Sequence, residues 1–351
     1  MNWPATLPLT YWMLAAGILG LLVGSFLNVV ILRLPARLLH GWQREAEAIL
    51  AEARGEVAPE TAGTAATPPG IVREPSHCPR CKHPLGARDN IPLLSWLLLR
   101  GRCRYCKAPI SMQYPLVELL TGVLSAIAVG HFGPTLQGAS ALLFTWMLVA
   151  ASGIDLRVQL LPDQLTMPLL WLGLLLALLP VFADPAQAIL GAALGYLALW
   201  SVYWAFKLLT GKEGMGYGDF KLLAALGAWM GAWALLPIVL ISSIVGAVIG
   251  SLYLALSRKS QSVPIPFGPY LATAGWLWLL AGPELTRRAT ARDHDAAAAR
   301  ESVVRRVLPR CRGSGARPGT GLRLRGARPG TADADARRRA GSGLAALRPA
   351  L

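Results

Sequence analysis

Residues 11–32 read YWMLAAGILGLLVGSFLNVVIL, 22 positions without a charged side chain. At about 1.5 Å per helical residue, such a run crosses the ~30 Å hydrocarbon layer of a bilayer. Inside lipid, a single segment satisfies all its backbone polar groups only as a helix, so the run predicts a transmembrane helix. No basic stretch precedes it, and the first charge, Arg33, follows it, unlike the order in a cleaved signal peptide. Working outward, uncharged apolar runs recur at about 119–136, 138–154, 165–183, 186–206, 222–238, 239–257 and 267–283, with the division inside 222–257 expected near Pro237. The fold class expected is all-α, a polytopic membrane helix bundle of about eight transmembrane helices. Gly and Ser spaced along several runs suit close helix contacts in lipid.

Composition agrees. Of 351 residues, 54% are hydrophobic and only 15% are charged, against about 25% charged in an ordinary soluble domain. A formal net charge of +15 would by itself suggest a nucleic-acid or anionic-surface binder. Its distribution argues otherwise. Residues 287–351 hold 16 Arg, no Lys and five acids, whereas residues 1–286 hold 18 basic against 14 acidic residues. A soluble single-core enzyme is excluded by the length of the apolar runs. Disorder is excluded for 1–286 by their apolar content, and no nucleic-acid partner is expected. Four parts follow: a first span at 11–32, a loop at 33–118, a seven-helix membrane core at 119–285, and an Arg/Ala/Gly/Pro-rich tail at 286–351. The tail fits a solvated disordered segment or the product of a shifted reading frame in a GC-rich gene.

Lys and Arg cluster in cytoplasmic loops of membrane proteins. The 33–118 loop carries twelve of them, from Arg33 to Lys107. Alternation then places 155–164, 207–221 and 258–266 on the same side, each with Lys or Arg, while the loops near Gly133, Asp184 and Pro237 have none. The 33–118 loop is therefore expected in the cytoplasm of a cell with a bacterial-type inner membrane. Within it, Gln43–Arg54 reads as a short helix and Ala58–Pro69 as a mobile linker.

Residues 77–110 carry Cys78-Pro-Arg-Cys81 and, after 21 residues, Cys103-Arg-Tyr-Cys106. Paired CxxC knuckles place four thiolates around one tetrahedral ion, for which zinc is the usual choice. Two disulfides or a redox pair are the rival readings, disfavoured by a reducing compartment. The metal reads as structural, a staple for a loop poor in apolar residues. His77 and His83 flank a site that four cysteines already complete, and Cys311 stands apart in the tail.

Acidic residues are scarce in the membrane half, so each needs a reason. Asp155 ends the third run, Asp163 follows Leu161-Pro162, and Asp219 closes Gly214-Met-Gly216-Tyr-Gly218-Asp219. Asp163 is explained as a helix N-cap. Asp219 also suits a helix start, but a cap does not need three glycines before it. Asp155 lies at a helix C-terminus, where the dipole disfavours a carboxylate. Two spans separate Asp155 from Asp219, which returns both to one membrane face. Two carboxylates able to share a proton are the equipment of an aspartic hydrolase. A proton-coupled transporter is the rival reading, with carboxylates expected nearer the bilayer midplane. Ser25 and Asn28 in the first run suit either helix packing or substrate contact.

At these residues the sequence resembles the type IV prepilin peptidase family. The resemblance runs over about residues 10–285. It rests on Gly24-Ser-Phe-Leu-Asn-Val-Val-Ile-Leu-Arg-Leu-Pro35, the paired knuckles, Ile110-Ser-Met-Gln-Tyr-Pro-Leu-Val-Glu118, Ile154-Asp155 with Leu161-Pro162-Asp163, Gly216-Tyr-Gly218-Asp219 and Pro266-Phe-Gly-Pro-Tyr270. The resemblance implies an eight-span inner-membrane aspartic endopeptidase with Asp155 and Asp219 as its catalytic pair. It implies cleavage of a short, positively charged leader after Gly in type IV prepilins and pseudopilins, beside pilus or type II secretion machinery. It also implies N-methylation of the new terminus from S-adenosylmethionine, an activity the cysteine loop marks; a peptidase without the methyltransferase is the alternative. No residue pattern independently indicates a methyl-donor site, and Gly101 and Glu118 are only weak candidates for it.

Overall fold

The computed structural model describes residues 7–55, 67–72, 74–257, 266–282 and 284–285. The tail at 286–351, with Cys311, and most of the 58–69 linker lie outside the described residues. Among those described the chain is helical, apart from two isolated β-bridges. The helices are α1 (Leu9–Ala53), α2 (Leu94–Leu98), α3 (Gln113–Phe132), α4 (Leu136–Val158), α5 (Asp163–Ala177), α6 (Pro185–Thr210), α7 (Tyr217–Met230) and α8 (Leu235–Ser257), followed by α9 over 268–282. Five of them, α1, α3, α4, α6 and the stretch containing α8, are long and apolar enough to cross a membrane. Helices α5, α7 and α9 are shorter.

The boundaries differ from the sequence expectation at three places. Helix α1 does not stop at 32 but continues without a break to Ala53, about 68 Å at 1.5 Å per residue. The separate helix expected at Gln43–Arg54 is its polar end. Helix α3 begins at Gln113 rather than 119. The division expected near Pro237 falls at Gly231, where φ is +81° and a short 3-10 turn, Ala232–Ala234, leads into α8. Pro237 is the third residue of α8, in the first turn, where a missing N–H costs nothing.

Small residues set the helix contacts. A Cβ on Gly20 would lie 2.5 Å from the Ser125 hydroxyl of α3, and one on Gly24 would lie 2.8 Å from Glu118 Cα. Helices α6 and α7 meet where Gly191 and Gly227 face each other's carbonyl groups, leaving no room for a methyl on either. Between 219 and 229, only Lys221 of α7 is not buried. That explains why α7 is apolar all round, since a helix enclosed by protein has no polar face to present. Around it lie Phe144 of α4, Leu169 of α5, Ile238 of α8 and Leu271 of α9, all nearly inaccessible.

Buried or half-buried indoles link further helices by single hydrogen bonds. Trp229 Nε1 donates to Leu169 O (2.8 Å), Trp146 Nε1 to Ser125 Oγ (3.0 Å) and Trp276 Nε1 to Thr145 Oγ1 (3.0 Å). These tie α7 to α5, α4 to α3 and α9 to α4.

Gly227→Ala should destabilise the bundle by about 1–3 kcal/mol, the usual cost of overpacking. The check is thermal unfolding in detergent, and Gly216→Ala, whose added Cβ would meet nothing within 4 Å, is the control expected to melt like the parent.

Candidate functional site

The two knuckles repeat one local design. Cys78 N–H donates to His83 O (2.9 Å) and Lys82 N–H to Cys78 O (2.9 Å); Cys103 N–H donates to Ala108 O (2.8 Å) and Lys107 N–H to Cys103 O (3.1 Å). Lys82 and Lys107, each four residues after the first cysteine of its knuckle, both have φ +57°. The two turns bring all four Sγ atoms within 4.8 Å of one another, with Cys78 and Cys106 at 3.8 Å. A tetrahedral ion with bonds of about 2.3 Å needs sulfurs about 3.8 Å apart. The four thiols are unbonded to each other, and their chemistry and spacing fit a thiophilic dication. The Cys78 thiol is drawn down to about 6, first by the Cys81 and Arg80 backbone N–H groups. The His83 backbone lowers Cys81, but burial and the neighbouring thiols outweigh it and push that thiol up to about 11. Four sulfurs this close do not all ionise without a compensating cation. His77 is outside the cluster, and the His83 ring stacks on Tyr105 at 3.6 Å.

The module is tied to the membrane part by few contacts. The Arg33 guanidinium donates to the carbonyls of Gly70, Glu74 and Pro75, and Arg37 donates to Pro68 O. Asp89 meets Arg104 at 2.6 Å, and that hydrogen bond holds the Asp89 carboxyl below the ordinary range.

A cavity of about 810 Å³ contains both Asp155 and Asp219. The two come from the last turn of α4 and the first turn of α7. They are 5% and 8% exposed. Asp155 Oδ2 accepts the Gly268 backbone N–H (3.0 Å). Gly268 opens α9, so Asp155 lies at a helix N-terminus as well as at the end of its own. That answers the objection that a carboxylate has no place at a helix C-terminus, because free N–H groups at a helix start favour an anion. Asp219 Oδ1 is buried without a hydrogen-bond partner.

The capping expectations need correction. Asp163 is the first residue of α5, its N-cap is Pro162, and no side chain caps the helix. Its carboxylate instead holds Lys221 Nζ through both oxygens, at 2.7 and 2.8 Å. Asp219 is the third residue of α7, after the N-cap Gly216, and caps nothing. Of the three preceding glycines, Gly218 is needed for closeness, since a Cβ there would lie 2.6 Å from Leu161 Cβ. Gly214 leaves space for the Phe206 ring, and Gly216 faces open space.

Sequence reasoning missed two parts of this cavity. Gly268 was only a letter in a motif, and its role needs the fold that puts α9 against α4. Trp42 reaches the cavity from α1 because that helix does not end at the membrane surface; no signal in the sequence marks it. Neither Gly101 nor Glu118 lines the aspartate cavity. Gly101 has φ +68°, and a Cβ there would lie 2.9 Å from the Trp96 ring, which accounts for the glycine. Glu118 is buried on α3 and accepts the Leu93 N–H (2.8 Å).

Two family descriptions match the chain: "Bacterial Peptidase A24 N-terminal domain" over residues 18–132 and "Type IV leader peptidase family" over residues 142–251. The chain is similar to curated proteins named prepilin leader peptidase/N-methyltransferase. That of Aeromonas hydrophila is 56% identical over 282 residues, 80% of this chain and 94% of the relative. That of Stutzerimonas stutzeri is 54% identical over 283 residues, with the same two coverages. That of Pseudomonas aeruginosa is 52% identical over 289 residues, 82% and 96%. No solved structure matches.

Elemental analysis of the purified chain is expected to find one dication per molecule, zinc by ligand type. Cys81→Ser should lose it and make the 77–110 module sensitive to proteolysis.

Proposed function

The chain belongs to the type IV leader peptidase family, and from that premise we propose that it is a membrane aspartic endopeptidase. It removes the leader of type IV prepilins and pseudopilins and N-methylates the new terminus. The observation that carries the peptidase half is the meeting of Asp155 and Asp219, from two different helices, in one cavity. One carboxylate, ionised, takes a proton from a water molecule whose oxygen attacks the scissile carbonyl carbon. The other, protonated, donates a hydrogen bond to the carbonyl oxygen. When the carbon–nitrogen bond breaks, the leaving amine takes a proton and the shared proton of the pair is restored. Helix α9 serves this chemistry by fixing Asp155 through the Gly268 N–H, and α7 serves it by presenting Asp219.

The methyltransferase half rests on the names of the relatives. S-adenosylmethionine supplies an electrophilic methyl group on a sulfonium sulfur. The four-cysteine centre holds zinc in a structural role and takes no part in either reaction. The proton-coupled transporter reading is not favoured, since the relatives are peptidases over nearly their whole length.

In the topology that fits these roles, α1 and α3–α9 make eight spans of the bacterial inner membrane. The Lys- and Arg-bearing loops, the zinc module and the aspartate cavity face the cytoplasm, where a basic leader would be presented. The partners are then prepilins, pseudopilins, the lipid bilayer and the pilus or type II secretion apparatus.

Asp155→Ala and Asp219→Ala should each abolish cleavage of a model prepilin while the protein still inserts and keeps its zinc; full activity in either would overturn the assignment. Asp163→Ala, which removes only the Lys221 ion pair, should be milder. In Gly268→Ala the added Cβ would lie 2.7 Å from Asp155 Oδ2. Misplacing a reacting group by about 1 Å can cost about 10²-fold, so kcat should fall on that scale, read by steady-state cleavage kinetics.

A further inference from the structure

A second cavity, of about 630 Å³, lies between the membrane end of α1, the start of α3 and the zinc module. It shares no lining residue with the aspartate cavity. Its volume is in the range that holds a cofactor-sized molecule, roughly 300–1,000 Å³. All its lining residues fall between 25 and 118, inside the stretch matched by the N-terminal domain and outside the one that contains both aspartates.

Three features of its wall bear on what it could hold. Asn28 is 2% exposed. Its Nδ2 donates to Gly24 O (3.3 Å) and Tyr114 O (3.0 Å), but its Oδ1 is buried with no partner. An unsatisfied buried acceptor is destabilising, a cost an apolar residue in α1 would avoid. Glu118 is buried, accepts the N–H of Leu93 (φ +57°) and has the Ser25 hydroxyl as a second hydrogen-bond partner, with no cation beside it. No ion pair among the described residues includes it, so the simple reading of a carboxylate matched to a nearby cation fails. Trp96 presents its indole to the cavity, backed by Gly101, where a side chain would displace the ring.

The wall thus asks for a ligand with a positive charge for Glu118, a hydrogen-bond donor for Asn28 Oδ1 and a flat ring for Trp96. We propose that this cavity, built around Asn28, Glu118 and Trp96, is the binding site for S-adenosylmethionine. The ligand carries a sulfonium and an ammonium group, an exocyclic amine and an adenine ring. The proposal rests on the methyltransferase reading above, and it gives that activity a place separate from the peptidase. Cleavage and methylation then occur in different cavities, and the new N-terminus moves from one to the other.

The test uses the full chain in detergent and measures S-adenosylmethionine binding by equilibrium dialysis, beside zinc content and prepilin cleavage. The parent and Asp155→Ala should bind alike. Glu118→Gln, which is isosteric, and Asn28→Ala should each weaken binding tenfold or more while zinc and cleavage are retained. Unchanged S-adenosylmethionine binding in both variants would overturn this site and leave the methyltransferase reading standing. A parent chain that cleaves but neither binds S-adenosylmethionine nor methylates would overturn that reading and the site with it. Joint loss of zinc, cleavage and binding in both variants would also overturn the site, because it would make the two residues supports of the fold.

Discussion

Inside a bilayer apolar side chains gain nothing by leaving the lipid, so helices hold together through close packing and a few hydrogen bonds. Everything else here depends on that constraint. Gly191 against Gly227 and Gly20 and Gly24 against α3 let backbones approach where a methyl group would not fit. The first contact locks α6 to α7, and α7 carries Asp219. The second locks α1 to α3 and sets the distance across which Asn28 and Glu118 share a cavity. Without these small residues, the polar groups that carry chemistry would have no fixed positions.

Buried carboxyl groups are costly in such a setting unless protein dipoles replace water. The structure supplies them unevenly. Asp155 receives a backbone N–H from the start of α9, and Asp163 receives Lys221 through both oxygens. Glu118 receives one N–H and the Ser25 hydroxyl but no cation, and Asp219 Oδ1 receives nothing. The fully served carboxylate, Asp163, is the one with an adequate structural explanation. Those left short of partners sit in cavities, where a substrate or cofactor can complete them.

The four-cysteine module is built on a different principle. It has little apolar surface to bury, and its two short turns, with repeated backbone bonds, gather four thiols that could share one ion. The polar end of α1 joins this module to the bundle. Arg33 and Arg37 hold the 68–75 segment, and Trp42, a few residues farther on, lines the aspartate cavity. One continuous helix therefore touches both cavities and the segment leading to the metal centre.

Much of this was determined by the sequence alone, because some signals are local. A run of 22 uncharged residues at 11–32 is a membrane helix whatever surrounds it, and CxxC spacing makes a knuckle from its own backbone. Scarcity made Asp155 and Asp219 conspicuous, and chain parity placed them on one face. Other features belong to no single segment. That α1 runs on to Ala53, with nearly every residue after 41 exposed, is not visible to a reading of apolar runs, which ends at the first charge. Asp163 read as a cap because its partner, Lys221, is 58 residues away. Asp155 looked misplaced because the helix start that receives it belongs to α9, 113 residues later. The orphaned acceptor of Asn28 and the burial of the Glu118 carboxyl away from any cation exist only once α1 and α3 are pressed together. The sequence fixes what each segment is because backbone and solvent impose that locally. Only the tertiary structure decides which polar groups go unsatisfied, because satisfaction depends on neighbours the chain brings from elsewhere.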